Sequence, residues 1–221
     1  MGVFLCFHLG INSTILFGAD AFNASVEQIH LLKRMGVLIP VEMAFIFIPL
    51  FFHAVLGVVI LLNGSINVVQ HRYGGNIRYF FQRATALIAF AFVLLHLWQM
   101  HWLGRPFGGG FFDVEHATGS AAATFQAAGA IWAVVYVIGV LSCVYHVANG
   151  LWTALITWGI TVGPQSQRGA GFVCTALGIV LAVVGMGALC GFYAVDVSDG
   201  DHEEVVAQVA SLPASPDAQS H

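Results

Sequence analysis

The sequence predicts an all-α integral membrane bundle of five transmembrane helices, and three observations carry that prediction. Hydrophobic residues make up 58% of the 221-residue chain and charged residues 8%, against roughly 25% charged residues in an ordinary soluble domain. Five apolar stretches occupy residues 2–18, 41–63, 78–103, 123–153 and 170–195, and a run of about 20 apolar residues crosses a bilayer. The connections between them are polar and none is long enough to be a domain, so residues 1–195 read as one transmembrane unit.

The first stretch starts at Met1 with no basic residue before it and contains Asn12, Ser13 and Thr14. It is neither a good signal peptide nor a full-length helix, and it is expected to be a shortened helix or the later part of one that begins upstream. A polar connection from Asp20 to Pro40 follows. The second stretch opens on Glu42 and contains Pro49, whose missing N–H predicts a kink. A connection over Asn63–Asn76 leads into the third stretch, which carries Arg78 and Arg83 in its first turns. Gly104–Ser120, with a run of three glycines at 108–110, and then Gly163–Gly169 separate the last three stretches.

Residues 196–221 form a different segment. Five of the eleven carboxylates (Asp196, Asp199, Asp201, Glu203 and Glu204) fall within nine residues there, with Pro213 and Pro216 further on. This composition predicts a disordered acidic tail, and without it the net charge of -4 is close to zero. Seven Lys and Arg residues spread along the chain offer no basic stripe for phosphates, so nucleic acid is not an expected partner. Cys6, Cys143, Cys174 and Cys190 all lie in apolar stretches without C-x-x-C spacing and read as small hydrophobes.

Five spans place the termini on opposite sides of the membrane, and the distribution of Lys and Arg sets the direction. Arg72, Arg78, Arg83 and Arg168 on one side outnumber Lys33, Arg34 and Arg105 on the other. The expected orientation has the N-terminus cytoplasmic and the acidic C-terminus on the outer side of the cell membrane.

An ionisable residue inside a span marks function by default, because hydrocarbon penalises it unless it is partnered. His8, His53, His96 and His146 stand one per helix in the first four stretches. A lone histidine of this kind is often a core residue donating to a backbone carbonyl. Four of them match the axial ligand count of two bis-histidine b haems. Helix direction supplies the pairing. His53 and His146 fall towards the cytoplasmic side and His96 towards the outer side, which leaves His8 as the partner of His96.

Gly57 and Gly150 each lie four residues after a candidate ligand, on the same helical face, and are expected to leave room for a flat macrocycle. Arg83 lies about 8 Å into the third helix, on a different face from His96, and is read either as a propionate partner for the cytoplasmic-side haem or as a snorkelling side chain. Glu42 opens the second helix at the outer side. It is a candidate proton carrier for a quinone, with simple helix-dipole stabilisation as the alternative. The remaining histidines are expected at span edges or in solvent, with His101, about one turn beyond His96, the exception to examine. Trp98, Trp102, Trp152 and Trp158 suit an interfacial aromatic belt.

Four local segments resemble one known family: FHLGIN around His8, E-x6-P-L-x-x-H from Glu42 to His53, F-x-Q-R-x-T at Phe80–Thr85 with H-x-W at His96–Trp98, and HVANGLWTALITWGITVGPQSQR from His146 to Arg168. The family is the five-helix, single-chain dihaem cytochrome b membrane subunit of succinate dehydrogenases and fumarate reductases. The resemblance implies that His8 and His96 bind a distal haem and His53 and His146 a proximal one. It also implies a flavoprotein subunit, an iron-sulfur subunit, and electron transfer between the latter and a quinone, usually menaquinone, within the lipid membrane. The chain alone would then be no enzyme. Some fumarate-reducing members carry a glutamate two residues before the last ligand, where Val144 stands here, and this tilts the expectation towards succinate oxidation.

Two other classes compete. Membrane dihaem cytochromes of the hydrogenase or ascorbate-reducible kind share the haem count and differ in their partners. A haem-free transporter with a histidine proton relay would need a continuous polar path, and buried polar residues other than the histidines are sparse.

Overall fold

The computed structural model describes residues 1–64 and 73–197. The expected disordered tail from residue 198 onward, and Arg72 in the connection before the third stretch, lie outside the described residues. The described residues fold into α1 (Gly2–Ser13) with a 3-10 turn at Thr14–Phe17, α2 (Ala19–Arg34) and α3 (Leu38–Asn63), followed by α4 (Gly74–Met100). A 3-10 segment at Trp102–Phe107 leads to α5 (Ala117–Gln126), α6 (Ala130–Thr157) and α7 (Pro164–Tyr193).

Four of these, α3, α4, α6 and α7, have 26, 27, 28 and 30 residues and are long and apolar enough to cross a membrane. The expected count of five spans is met by four helices of membrane length, and the first stretch, expected to be shortened, is the shorter apolar helix at Gly2–Phe17. At 1.5 Å per residue the 12 residues of α1 reach about 18 Å, against about 30 Å of hydrocarbon. The break expected at Pro49 takes the form of a π turn over Met43–Phe47, in the turn preceding the proline.

The expected span 123–153 is also corrected. Residues 123–126 belong to α5, and the chain breaks at Gly129, whose φ of 53° and ψ of -130° only glycine adopts readily. The break falls among Ala127, Ala128 and Ala130, which carry no charge and left the apolar pattern unbroken. Conversely, the polar segment Pro164–Arg168 is helical and forms the first turn of α7, with Pro164 at its opening position.

Two segments expected as connections are helices. In α2 a stripe at Phe22 and Val26 is buried while Asp20, Glu27, Lys33 and Arg34 face outward, an amphipathic pattern at helical spacing. In α5 the small residues Ala121, Ala122 and Ala123 are at most 1% exposed, which lets this short helix sit among α2, α6 and α7.

α6 is the centre of the bundle, packed against α4 on one side and α7 on the other. A Cβ on Gly139 would overlap the Phe92 ring at 2.2 Å, so α4 and α6 meet there almost backbone to ring. α7 runs antiparallel to α6, with Gly178 beside Ala148 and Gly185 beside Val140. α1 runs parallel to α7, with Leu9 against Gly185 and Ile15 against Gly191, and its first residues lie beside Val147. The largest apolar cluster, including Ile15, Phe22, Ala121, Phe125, Tyr136, Leu189 and Phe192, gathers at the end where α1 finishes. α3 stands apart, since no residue of its most apolar window is buried.

Candidate functional site: two histidine pairs between helices

The fold brings the four histidines together in two pairs. His53 on α3 and His146 on α6 have ring centres 6.0 Å apart and ring planes at 75°. His8 on α1 and His96 on α4 have ring centres 5.6 Å apart and planes at 79°. Metal–imidazole bonds of about 2 Å on each side, with the half-width of each ring added, set two imidazoles on one metal roughly 6 Å apart centre to centre. Both pairs therefore fit the two axial positions of one haem iron. Ten residues of α6, from Tyr136 beside His96 to His146, separate the two layers by roughly 15 Å.

Among the described residues no group of three or more His, Cys, Asp or Glu side chains is arranged to hold a metal ion. The pairs thus lack the three or four protein ligands of a zinc-type site, and suit a metal whose remaining positions come from a macrocycle. Helix direction had set His53 with His146 and left His8 for His96 by elimination, and the rings stand in those two pairs. It did not anticipate that the His53 ring is exposed rather than well buried, a consequence of α3 standing away from the bundle.

Two of the rings are held from behind. His146 Nδ1 lies 3.2 Å from the Gln82 carbonyl oxygen and 3.1 Å from Gln82 Nε2. Gln82 Nε2 donates to the His146 carbonyl at 3.1 Å, Asn149 Nδ2 to Gln82 Oε1 at 2.7 Å, and Arg78 Nε to Asn149 Oδ1 at 2.9 Å. The Arg78 guanidinium stacks 3.8 Å over Trp152. At the other pair, His96 Nδ1 lies 3.3 Å from the Tyr136 hydroxyl, which itself donates to Gln99 Oε1 at 2.9 Å. A proton held on Nδ1 leaves the Nε2 lone pair free for a ligand role.

Room for a flat group exists at Gly57, where an added Cβ would meet nothing within 4 Å. At Gly150 the room expected from the sequence is taken by the Gln82 amide, 3.1 Å from where a Cβ would sit. Arg83 does not snorkel, being only 8% exposed. Its guanidinium donates to the carbonyls of Ile60 and Leu61 at 3.1 and 3.4 Å and lies over Tyr79, capping the end of α3 near the His53–His146 pair. Gly64 lacks the Cβ that would collide with that guanidinium.

Glu42 meets His101 at the opposite end, with Oε2 3.8 Å from Nε2. His101 Nδ1 accepts from the Leu103 N–H at 3.3 Å, and its ring packs on Phe47 and Trp102. Burial holds the His101 pKa below its ordinary value, so near neutral pH the ring is uncharged and presents Nε2–H towards the carboxylate. Of the other described histidines, His30 lies 3.8 Å from Glu27 and His116 pairs with Asp113 at 3.1 Å on an exposed loop.

Sequence reasoning missed Tyr136, Gln99 and Asn149 as site residues. Gln99 and Asn149 each stand three residues after a candidate ligand on the same helix, a spacing that shares a face and was there to be read. Tyr136 carried no local signal, because it reaches His96 from another helix.

Membrane-length apolar helices with two histidine pairs set between them define a polytopic helical membrane protein. No family model matches the chain. The succinate dehydrogenase cytochrome b558 subunit of Bacillus subtilis (strain 168) is 34% identical over 192 residues, covering 87% of this chain and 90% of that protein. The chain belongs to the family of succinate dehydrogenase cytochrome b subunits. It is a multi-pass membrane anchor of that complex and not an enzyme by itself.

Proposed function

We propose that this chain is the membrane anchor and electron-transfer subunit of a succinate:quinone oxidoreductase, holding two b haems. His53 and His146 would bind the proximal haem and His8 and His96 the distal one. The observation that carries this reading is the pair of ring-centre separations, 6.0 and 5.6 Å, each suited to one iron between two imidazoles. The relative's name, a cytochrome b558, supports haem b as the group. When bound, each haem supplies a one-electron ferric/ferrous couple.

The chain's own residues do the rest. The Gln82 carbonyl and the Tyr136 hydroxyl stand where each can hold a proton on Nδ1 of His146 and His96, which would keep Nε2 available as ligand. Arg78 and Arg83 place cationic guanidinium groups at the His53–His146 end, where anionic propionates require them. Glu42 and His101 form the proton-carrying pair at the other end, since a quinone that accepts electrons must also take up protons. With α1 counted as the fifth membrane helix, the N-terminus is cytoplasmic and the C-terminus outside. The proximal pair then faces an iron-sulfur subunit and, behind it, a flavoprotein. Menaquinone or another quinone is the membrane substrate, and Val144 favours succinate oxidation as the working direction.

Haem per polypeptide, measured by pyridine haemochrome on purified protein with His53→Ala and His96→Ala, tests this reading. Two b haems, one lost in each variant, together with co-purifying flavoprotein and iron-sulfur subunits, are expected. Folded protein without haem would overturn the reading, and two haems without those partners would move the chain to another dihaem cytochrome class.

A further inference from the structure

We propose that Tyr136 and Gln99 are positioning residues for His96, a hydrogen-bonded relay that sets the reduction potential of the haem held by His8 and His96 apart from that of its neighbour. This rests on the haem reading above. The relay runs from His96 Nδ1 to the Tyr136 oxygen at 3.3 Å and from the Tyr136 O–H to Gln99 Oε1 at 2.9 Å. Tyr136 and Gln99 are only 3% and 2% exposed, so water does not compete for either bond.

The relay closes between two helices. Gln99 stands one turn beyond His96 on α4, while Tyr136 comes from α6. The Tyr136 ring is wedged edge-on between Phe125 at 4.7 Å and Phe92 at 5.1 Å, and Phe92 also stacks on His96. Gly139, one turn along α6 from Tyr136, admits Phe92 to this position. The tyrosine therefore fixes the rotation of the imidazole as well as accepting its proton.

The two pairs differ in what accepts the Nδ1–H. For His146 the acceptor on offer is a peptide carbonyl at 3.2 Å, with the Gln82 side-chain amide at 3.1 Å competing as a donor to the same nitrogen. For His96 it is a phenol oxygen made a stronger acceptor by its own donation to an amide. Donation from Nδ1 makes an imidazole more electron-rich and a better ligand, which favours ferric over ferrous iron. Removing the acceptor raises the potential of that haem alone.

The test is an optical redox titration of the purified complex carrying Tyr136→Phe, Gln99→Leu or Gln99→Glu, alongside wild type. Tyr136→Phe is expected to keep both haems and to raise the ferrous:ferric ratio of one of them about three- to tenfold, equivalent to about 30–60 mV for one electron. Gln99→Leu is expected to give a smaller rise. Gln99→Glu keeps an acceptor for the tyrosine O–H, and its potential is expected at or below wild type. Unchanged potentials, or equal shifts of both haems, would overturn the proposal. If Tyr136→Phe loses a haem, the two Gln99 variants decide, and shifts of the same sign in both overturn it. Wild type without haem would instead overturn the function proposed above.

Discussion

A histidine within a bilayer is tolerated when each ring nitrogen has work. For His96 and His146 one nitrogen is accounted for inside the chain, beside the Tyr136 hydroxyl and the Gln82 side chain and carbonyl, and each ring stands next to a second imidazole. The near-perpendicular ring planes, 79° and 75°, have a spectroscopic consequence. If each pair holds one haem iron as proposed, imidazole planes crossed in this way would leave the iron d orbitals nearly degenerate, and the oxidised protein would then be expected to show strongly anisotropic low-spin EPR signals, whereas ordinary rhombic spectra would mean parallel rings. The Glu42–His101 pair predicts a separable defect. Glu42→Gln is expected to slow succinate:quinone turnover about 100-fold, within the range of general acid–base catalysis. Haem content and succinate oxidation with a soluble dye acceptor should stay unchanged. The four imidazoles and Glu42 were legible in the sequence because ionisable groups in apolar stretches stand out. Tyr136 was not, because a tyrosine in an apolar helix is ordinary until a histidine from 40 residues away is folded onto it.

Among the elements, α3 and the α5–α6 junction bear the clearest consequences. α3 buries none of its most apolar window against protein and is tied to the bundle by the Arg83 cap and by its first turns against α2. Protein purified from haem-starved cells is therefore expected to show faster hydrogen exchange and proteolysis in α3 than in α6 or α7, which pack directly on each other. Equal protection of all three would show that α3 needs no bound group. At the junction, Gly129→Ala puts a side chain at a φ of 53° with open space around it, so the cost is backbone strain of about 1–3 kcal/mol, read as a lower unfolding temperature in detergent. Gly139→Ala acts differently, through overlap with Phe92. A loss of about 1–3 kcal/mol is expected from overpacking, with preferential loss of haem from the His8–His96 pair. The long helices were legible from hydropathy alone. α2 and α5 were not, because an amphipathic helix and a small-residue helix both lower the mean hydropathy while still burying one face or all of it.

Taken whole, the molecule has its two histidine layers stacked along the bundle, one near each end, with the Arg78 and Arg83 cations beside one layer and the Glu42–His101 pair beside the other. This polarity predicts the orientation: alkaline phosphatase fused after the C-terminus should be active, as an outer-side reporter, and an inactive fusion would reverse the proposed sidedness. Composition alone was enough to specify a helical membrane protein, because a chain with 8% charged residues cannot cover a soluble surface, and only helices satisfy the backbone of such segments in lipid. Alternating helix direction was likewise enough to set His53 with His146 at one depth and His96 at the other, since depth along antiparallel spans follows from residue counting, and His8 joined His96 only as the histidine left over. Which groups stand behind each imidazole, where Arg83 turns, and how far α3 lies from the bundle were decided by side-chain contacts between helices. Those contacts depend on rotation about each helix axis and on close approaches such as Gly139 to Phe92, and neither is written in hydropathy.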